Sequence, residues 1–338
     1  GTGAMALLLV PLSLFADRYG RERLMRWGLA GAAAFAAASA VAPDFLTLLA
    51  CRAGVGACVA GVPAAALAYL GDEIAPEGRS RAMGLYIAAT GLGGMTGRLI
   101  VSAVTGWLDW RYGLATLGAA GVLAAIVFWR LLPPARRFES RSMQPRALFT
   151  DARQFMADPG VLLLLATGFL ISGTLAGAYN FSAFRLSLPP YGLGPAAVGS
   201  IFLLYGIGSA ASAWAGHAVN RLGRGRIVLA MSLCMALGLA ITLATPLPVI
   251  VVGLAVFTIG FFAVHAVTSG WVGPRAGGRK GLVSALYLSS YYFGSSVIGS
   301  SAGWPWSHWG WPGVVAALMA CMAGVIGIAI LLRRLGDD

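Results

Sequence analysis

Charge is what this sequence has least of. Only 11% of its 338 residues are Asp, Glu, Lys or Arg, whereas a soluble domain carries about 25%. With 58% of residues hydrophobic and a mean hydropathy of +0.79, a soluble globular class is excluded and a polytopic membrane chain is implied. Acids are scarcer than bases, 12 against 24, and none lies well inside an apolar run. A buried carboxylate of raised pKa, the common proton carrier, is therefore missing from the spans. The four cysteines (Cys51, Cys58, Cys234, Cys321) sit in apolar runs without metal-ligand spacing, so they read as small packing residues. The three histidines are scattered. With no nucleophile–base pair and no ligand cluster, an enzyme is not expected, nor any metal or cofactor. No Gly-x-x-x-x-Gly-Lys-Ser/Thr loop occurs, which excludes an ATP-driven pump. The net charge of +12 does not imply nucleic acid, because the arginines lie between apolar runs, where they suit anionic headgroups.

What is there in quantity is long apolar runs. Eleven approach the roughly 20 residues that cross a bilayer: about 1–16, 24–42, 45–70, 82–106, 112–132, 160–184, 196–219, 226–245, 248–270, 281–303 and 312–334. Each is expected to be a helix, since a lipid-exposed backbone must satisfy its own hydrogen bonds. Twenty of the 24 basic residues fall in alternate turns and the C-terminal tail; only Arg111 and Arg185 fall on the opposite face, and Arg52 and Arg98 within spans. Basic residues mark the cytoplasmic side, so the C-terminus is expected inside and the start of this chain outside. The chain opens at Gly1 inside an apolar run and is read as a fragment; one preceding helix would give twelve spans.

The arginine-laced turns repeat. Asp17-Arg18-Tyr19-Gly20-Arg21-Glu22-Arg23 returns as Asn220-Arg221-Leu222-Gly223-Arg224-Gly225-Arg226, with Asp17 and Asn220 203 residues apart. Leu85-Tyr86 recurs as Leu286-Tyr287 and Trp110 as Trp311, each 201 apart. Two related halves are implied, 1–132 and 160–338, an arrangement known among transporters. Between them 133–159 opens with Pro133-Pro134 and reads as a polar cytoplasmic connector, with either a short surface helix from Phe149 to Met156 or no fixed structure.

The first turn resembles the signature of the major facilitator superfamily, Gly-x-x-x-Asp-Arg-x-Gly-Arg-Arg/Lys, with Ser13 where Gly is usual and Glu22 where a base is usual. Leu48-x-x-x-Arg52-x-x-Val55-Gly56, the turn Glu73 to Arg81, and Gly91 to Arg98 resemble further motifs of that family, the last without its Gly-Pro pair. Tyr179-Asn180-Phe181 with Phe184-Arg185-Leu186 and Pro189-Pro190-Tyr191 resembles the YnfM and arabinose-efflux-permease-like branch, of drug:proton antiporter type. The resemblance implies an all-α fold of two pseudo-symmetric six-helix bundles, here with eleven helices and the first family helix missing. It implies a monomeric, multi-pass secondary transporter of the bacterial inner membrane, exporting a small molecule, drug-like or sugar, against protons by alternating access. Uptake of a small organic anion and a non-transporting sensor are the competing expectations.

The resemblance implies a gating role for Asp17, Arg18, Gly20, Arg21 and Arg23, and for Asn220, Arg221, Gly223 and Arg224 in the second copy; the plain alternative is arginines that only orient the helices. It places Arg52 in proton coupling, against snorkelling toward Asp44. Arg98 either bonds backbone carbonyls at a helix break or lines a cavity that attracts anions. Gly93 and Gly97, and Gly299 and Gly303, are spaced for close helix approach. His265 is mid-span and titrates in a suitable range, though a packing role is the commoner one. Tyr86, Tyr179, Asn180, Tyr205, Tyr287, Tyr291 and Tyr292 are polar-tipped groups that can line a pathway or pack. Trp304, Trp306, Trp309 and Trp311 read as an interfacial belt.

Overall fold

A computed structural model describes residues 1–135, 153–276 and 280–335; the side chains of Asp17, of 76–81 and of a few other helical positions lie outside the described residues. All regular structure among the described residues is helical. The chain divides into two compact units, Gly1–Ala152 and Arg153–Asp338.

The first unit holds α1 (Thr2–Tyr19), α2 (Arg21–Ala40), α3 (Phe45–Val59), α4 (Val62–Glu73), α5 (Pro76–Trp107) and α6 (Trp110–Leu131). The second holds α7 (Pro159–Ser187), α8 (Pro195–Leu222), α9 (Arg224–Ile241), α10 (Leu247–Val272), α11 (Lys280–Ser301) and α12 (Gly303–Arg334). Six helices, α6 to α10 and α12, are long and apolar enough to cross a membrane by length and composition among the described residues.

One expected span needs correction. The run 45–70 is two helices, α3 and α4, meeting at Ala60 and Gly61. Pro63 stands in the first turn of α4, where its missing N–H costs nothing. The expected span 312–334 stands: a short helix from Gly303 precedes it and is set off by a kink at Gly310, whose φ of 61° and ψ of −148° are non-helical. Of the segment 149–156, only 153–156 is described, and it is helical.

Acids end up where the capping rule puts them. Asp44, Asp109 and Asp158 each cap the N-terminus of a helix, accepting from Thr47 N (2.8 Å), Arg111 N (2.9 Å) and Gly160 N (2.8 Å). Thr47 Oγ1 also donates to Asp44, at 2.9 Å. Asp44 is thus engaged at its cap rather than with Arg52. Hydrogen bonds from Thr47 hold its carboxyl below the usual carboxylate range.

Packing repeats between the units. In the first, α2 packs on α3, α4 and α6; in the second, α9 packs on α10 and α12. Likewise α1 packs on α3, and α8 on α10. α7 has no counterpart among the described helices of the first unit, and it packs on α11 and α12. The α7–α11 approach is close enough that a Cβ on Gly294 would run into the Phe169 carbonyl, and one on Gly299 would meet Ala176 Cβ at 2.8 Å. Gly93 differs: a Cβ there would meet nothing within 4 Å.

Candidate functional site

The two arginine-laced turns have the same backbone. Gly20 and Gly223 each end one helix and begin the next, with φ of 109° and 79° and ψ of 127° and 154°. An L side chain rarely adopts positive φ, so both positions call for glycine. Gly20 N donates to Ala16 O at 3.1 Å, and Gly223 N to Val219 O at 3.0 Å. Gly20 O and Gly223 O then accept from Leu24 N and Ile227 N.

Their side chains differ. Arg21 pairs with Asp72 at the end of α4 and donates to Ala68 O at 3.0 Å. Arg224, the matching residue, lies over the buried ring of Trp271 at the end of α10, 6.0 Å from its centroid. Arg18 lies over Tyr19 at 5.2 Å. Arg23, Asn220 and Arg221 are exposed. The side chain of Asp17 lies outside the described residues, and the acid that Arg21 reaches is Asp72. Glu22, the departure from the family pattern, accepts from Ala135 N at 2.8 Å and pairs with Arg26 at 2.5 Å, while Arg26 donates to Leu132 O at 2.8 Å. Beneath this turn lies a small core of Ala16, Met25, Ala65 and Tyr69.

At the other end of the same helices stand the two arginines expected on the opposite face. Arg111 donates to Ala40 O and Ala42 O, at 3.2 and 2.8 Å, at the C-terminus of α2. Arg185 donates to Thr242 O and to Ala244 O (2.7 Å) at the C-terminus of α9. The carbonyls are equivalent in the repeat; the arginines are not, since Arg111 comes from α6 and Arg185 from α7. Cations are favoured at a helix C-terminus. Trp311 joins the second cap, donating to Thr242 O at 3.0 Å with Arg185 over its ring at 5.5 Å. Trp311 is therefore a buried structural group, and Trp306 packs on Phe181 at 5.7 Å; of the expected belt, Trp304 and Trp309 are exposed.

The second unit also carries a polar-tipped aromatic cluster on α7, α8, α10 and α11. Thr258, Phe261, His265 and Thr268 recur on α10 at spacings of three, four and three, which puts them on one helical face. Thr258 and Thr268 are fully buried, and each donates to a carbonyl of its own helix, Leu254 O at 2.6 Å and Val264 O at 2.9 Å. Each also meets a tyrosine from a flanking helix: Tyr179 of α7 at 2.6 Å and Tyr287 of α11 at 2.8 Å. Because each threonine proton goes to a carbonyl, each tyrosine must donate to its threonine.

His265 Nδ1 lies 3.2 Å from Tyr287 Oη, and its ring centroid 4.6 Å from that of Tyr291 and 5.9 Å from that of Phe261. Tyr179 stacks on Phe202 and meets Tyr205 edge-on at 5.1 Å, and Tyr205 meets Phe262 at 5.2 Å. Tyr291 and Tyr292 are in contact at 5.3 Å. The tyrosines Tyr179, Tyr205 and Tyr287 are buried, while His265, Tyr291, Tyr292 and Phe262 are half-buried.

The structure brings Tyr179, Tyr205, Tyr287, Tyr291, Tyr292 and His265 together and leaves the other expected pathway residues apart. Asn180 is exposed, although next to Tyr179. Tyr86 is half-buried on α5 of the first unit. Arg52 is half-buried on α3, with no hydrogen bond or ion pair among the described residues. Arg98 is exposed and donates to Gly94 O at 3.0 Å, with no break in α5. Sequence reading passed over Thr258 and Thr268, whose signal was available: two polar residues on the apolar α10, in helical register with His265.

Comparison with known proteins decides the family. The model of the Major Facilitator Superfamily matches residues 2–299. The chain belongs to the major facilitator superfamily. It is 39% identical over 336 residues to the inner membrane transport protein YnfM of Escherichia coli, covering 99% of this chain and 80% of that one. It is 34% identical over 333 residues to the MFS-type transporter YybF of Bacillus subtilis, covering 98% and 82%. A crystal structure of a bacterial homologue of the human lysosomal transporter Spinster has the same fold, with a TM-score of 0.76 at 16% identity over 100% of this chain and 88% of that one. As a member of the major facilitator superfamily, the chain is a multi-pass membrane transporter for small-molecule solutes.

Proposed function

We propose that this superfamily member is a monomeric proton-coupled exporter of a small solute, drug-like or sugar, working by alternating access in a bacterial inner membrane. The aromatic cluster around His265 carries the reading: a carrier must present polar groups at membrane depth, and intramembrane polar groups mark pathways. In this reading Tyr179, Tyr287, Tyr291 and His265 bind solute, and Arg52, Arg98 and Tyr86 contribute from the first unit. The turns around Gly20 and Gly223 act as cytoplasmic hinges, held by contacts of about 1 kcal/mol that can break in each cycle. Residues 1–132 and 160–338 form the two moving bundles and 133–159 the cytoplasmic connector, with the C-terminus inside.

Everted vesicles containing the protein test the proposal. A panel of drugs and sugars should give saturable accumulation that collapses when the proton gradient is discharged. Accumulation indifferent to the gradient would remove proton coupling. Solute added to energised vesicles should alkalinise the acidic lumen, as protons leave in exchange; acidification of the lumen by added solute would mean co-transport and reverse the direction.

A further inference from the structure

The interior of the second unit's spanning helices holds no Asp, Glu, Lys or Arg; their charged residues stand at the ends. His265 is the imidazole in that interior, and its neighbours settle which of its nitrogens carries the proton. Thr268 donates to Val264 O and accepts from Tyr287. Tyr287 has then spent its only proton, so its contact with His265 Nδ1 is a hydrogen bond only if Nδ1–H donates. The reverse chain, Thr268 to Tyr287 to Nδ1, would give up the bond to Val264 O. The arrangement satisfying all three contacts is the Nδ1–H tautomer, which leaves Nε2 as a bare acceptor. Among the described residues Nε2 has no hydrogen bond.

The surroundings of that lone pair define what it can take. The helices packed on α10 are α7, α8, α9 and α11, with the short turn Pro274–Ala276 at its end. The titratable groups they turn toward His265 are Tyr287 and Tyr291, with Tyr292, Tyr205 and Tyr179 beyond. On α9, Cys234 donates to Val256 O. The charges of these elements are engaged elsewhere or exposed: Arg185 caps α9, Arg224 covers Trp271, Arg275 pairs with Asp158, and Arg221 and Arg226 are exposed. Among the described residues of this unit, no cation is in contact with His265 for an anion to meet. An aromatic solute bearing an N–H or O–H donor would meet ring faces and one acceptor.

We propose that the Nε2 lone pair of His265 is the point at which an aromatic, hydrogen-bond-donating solute and a proton displace one another. A proton taken from water converts the imidazole to imidazolium and turns Nε2 from acceptor into donor. The solute then loses its partner and leaves with its own proton intact. Return of the ring proton to water on the other side restores the acceptor. One lone pair with two claimants makes the exchange obligatory without any carboxylate. The inference rests on the exporter reading and adds the atom at which the two fluxes meet.

Histidine labelled with nitrogen-15 reads the tautomer directly. The double variant H217Q/H308Q, altered at two exposed sites, leaves one histidine and one pair of ring signals in nanodiscs. The expected spectrum at neutral pH has protonated Nδ1 and unprotonated Nε2; Tyr287→Phe should mix the tautomers. Ethidium, whose aryl amines donate, should shift Nε2, and tetraphenylphosphonium, an aromatic cation without donors, should not. Ethidium binding should weaken by about tenfold per pH unit once imidazolium predominates, and His265→Asn should abolish that dependence. A protonated Nε2 at neutral pH, a signal unmoved by saturating ethidium, or equal shifts with both cations would overturn the inference. The spectrum needs no transport assay, so these failures leave the exporter reading standing, and absent flux in vesicles leaves the tautomer standing.

Discussion

The two units build the same two joints from different side chains. At the arginine-laced turn, matched glycines with positive φ set one backbone, yet Arg21 closes on a carboxylate and Arg224 on an indole. At the far end, equivalent carbonyls of α2 and α9 are capped by arginines from non-equivalent helices. In the second unit the position matching Arg111 is Pro312, which has no cation to offer, and Arg185 reaches in from α7 instead. The lesson is that the repeat preserves the task, a helix end to be satisfied, rather than the residue that performs it. The second unit's versions also use indoles more fully: an indole face replaces an exposed acid at the turn, and at the cap Trp311 donates to a carbonyl, whereas Trp110 only lies under Arg111.

The largest effects should come from the backbone and the caps. Gly20→Ala and Gly223→Ala each force a side chain into a strained conformation costing roughly 1–3 kcal/mol. Thermal melting in detergent should show similar losses for both, and a harmless change at either would break the equivalence. Arg185→Gln should lose about 1.5–3 kcal/mol, as for hydrogen bonds to charged groups. Arg111→Gln should lose less: Trp110 lies under its guanidinium at 4.7 Å, but among the described residues no indole N–H shares its carbonyls, as that of Trp311 does in the second cap. Equal melting shifts would show that Trp311 adds nothing.

Smaller effects distinguish the hinge contacts. The Arg21–Asp72 pair, with Asp72 43% exposed, should contribute about 0.2–1 kcal/mol and fade with added salt. The Arg224–Trp271 contact should contribute about 0.5–1 kcal/mol and resist salt. Melting Asp72→Asn and Arg224→Gln at low and high ionic strength separates them; the same salt response in both would refute the distinction. Smallest is the Asp44 cap. Its folded pKa is depressed, so its contribution is present above the unfolded carboxylate pKa and is lost as pH falls through the folded value. Asp44→Asn should flatten that part of the acid limb of the melting curve.

Much of the fold was readable because its signals are local. Apolar run length gives the helices, Gly20 and Gly223 give the turns, and Asp44, Asp109 and Asp158 stand where helix caps belong. The break at Ala60 and Gly61 was hidden by an uninterrupted apolar run, whereas Gly310 falls in the gap between the expected spans 281–303 and 312–334. The site was readable in part: His265 and its five tyrosines stand out as polar groups in apolar helices. What joins them was not. The bond from Tyr179 to Thr258 spans 79 positions and that from Arg185 to Ala244 spans 59, and no periodicity encodes such distances. Counting bases in turns explained Arg111 and Arg185 only as exceptions, whereas packing gives each a carbonyl to satisfy.

Glu22 sits one residue past the first hinge arginine and accepts the backbone N–H of Ala135. The stretch leaving α6 is therefore fastened to the turn itself rather than trailing from the helix before it. A twist at Gly20 would be felt at Ala135 without passing along α3 to α6, and an acid in a place where a base is customary would serve as a short tether between a moving joint and the polypeptide that departs from it.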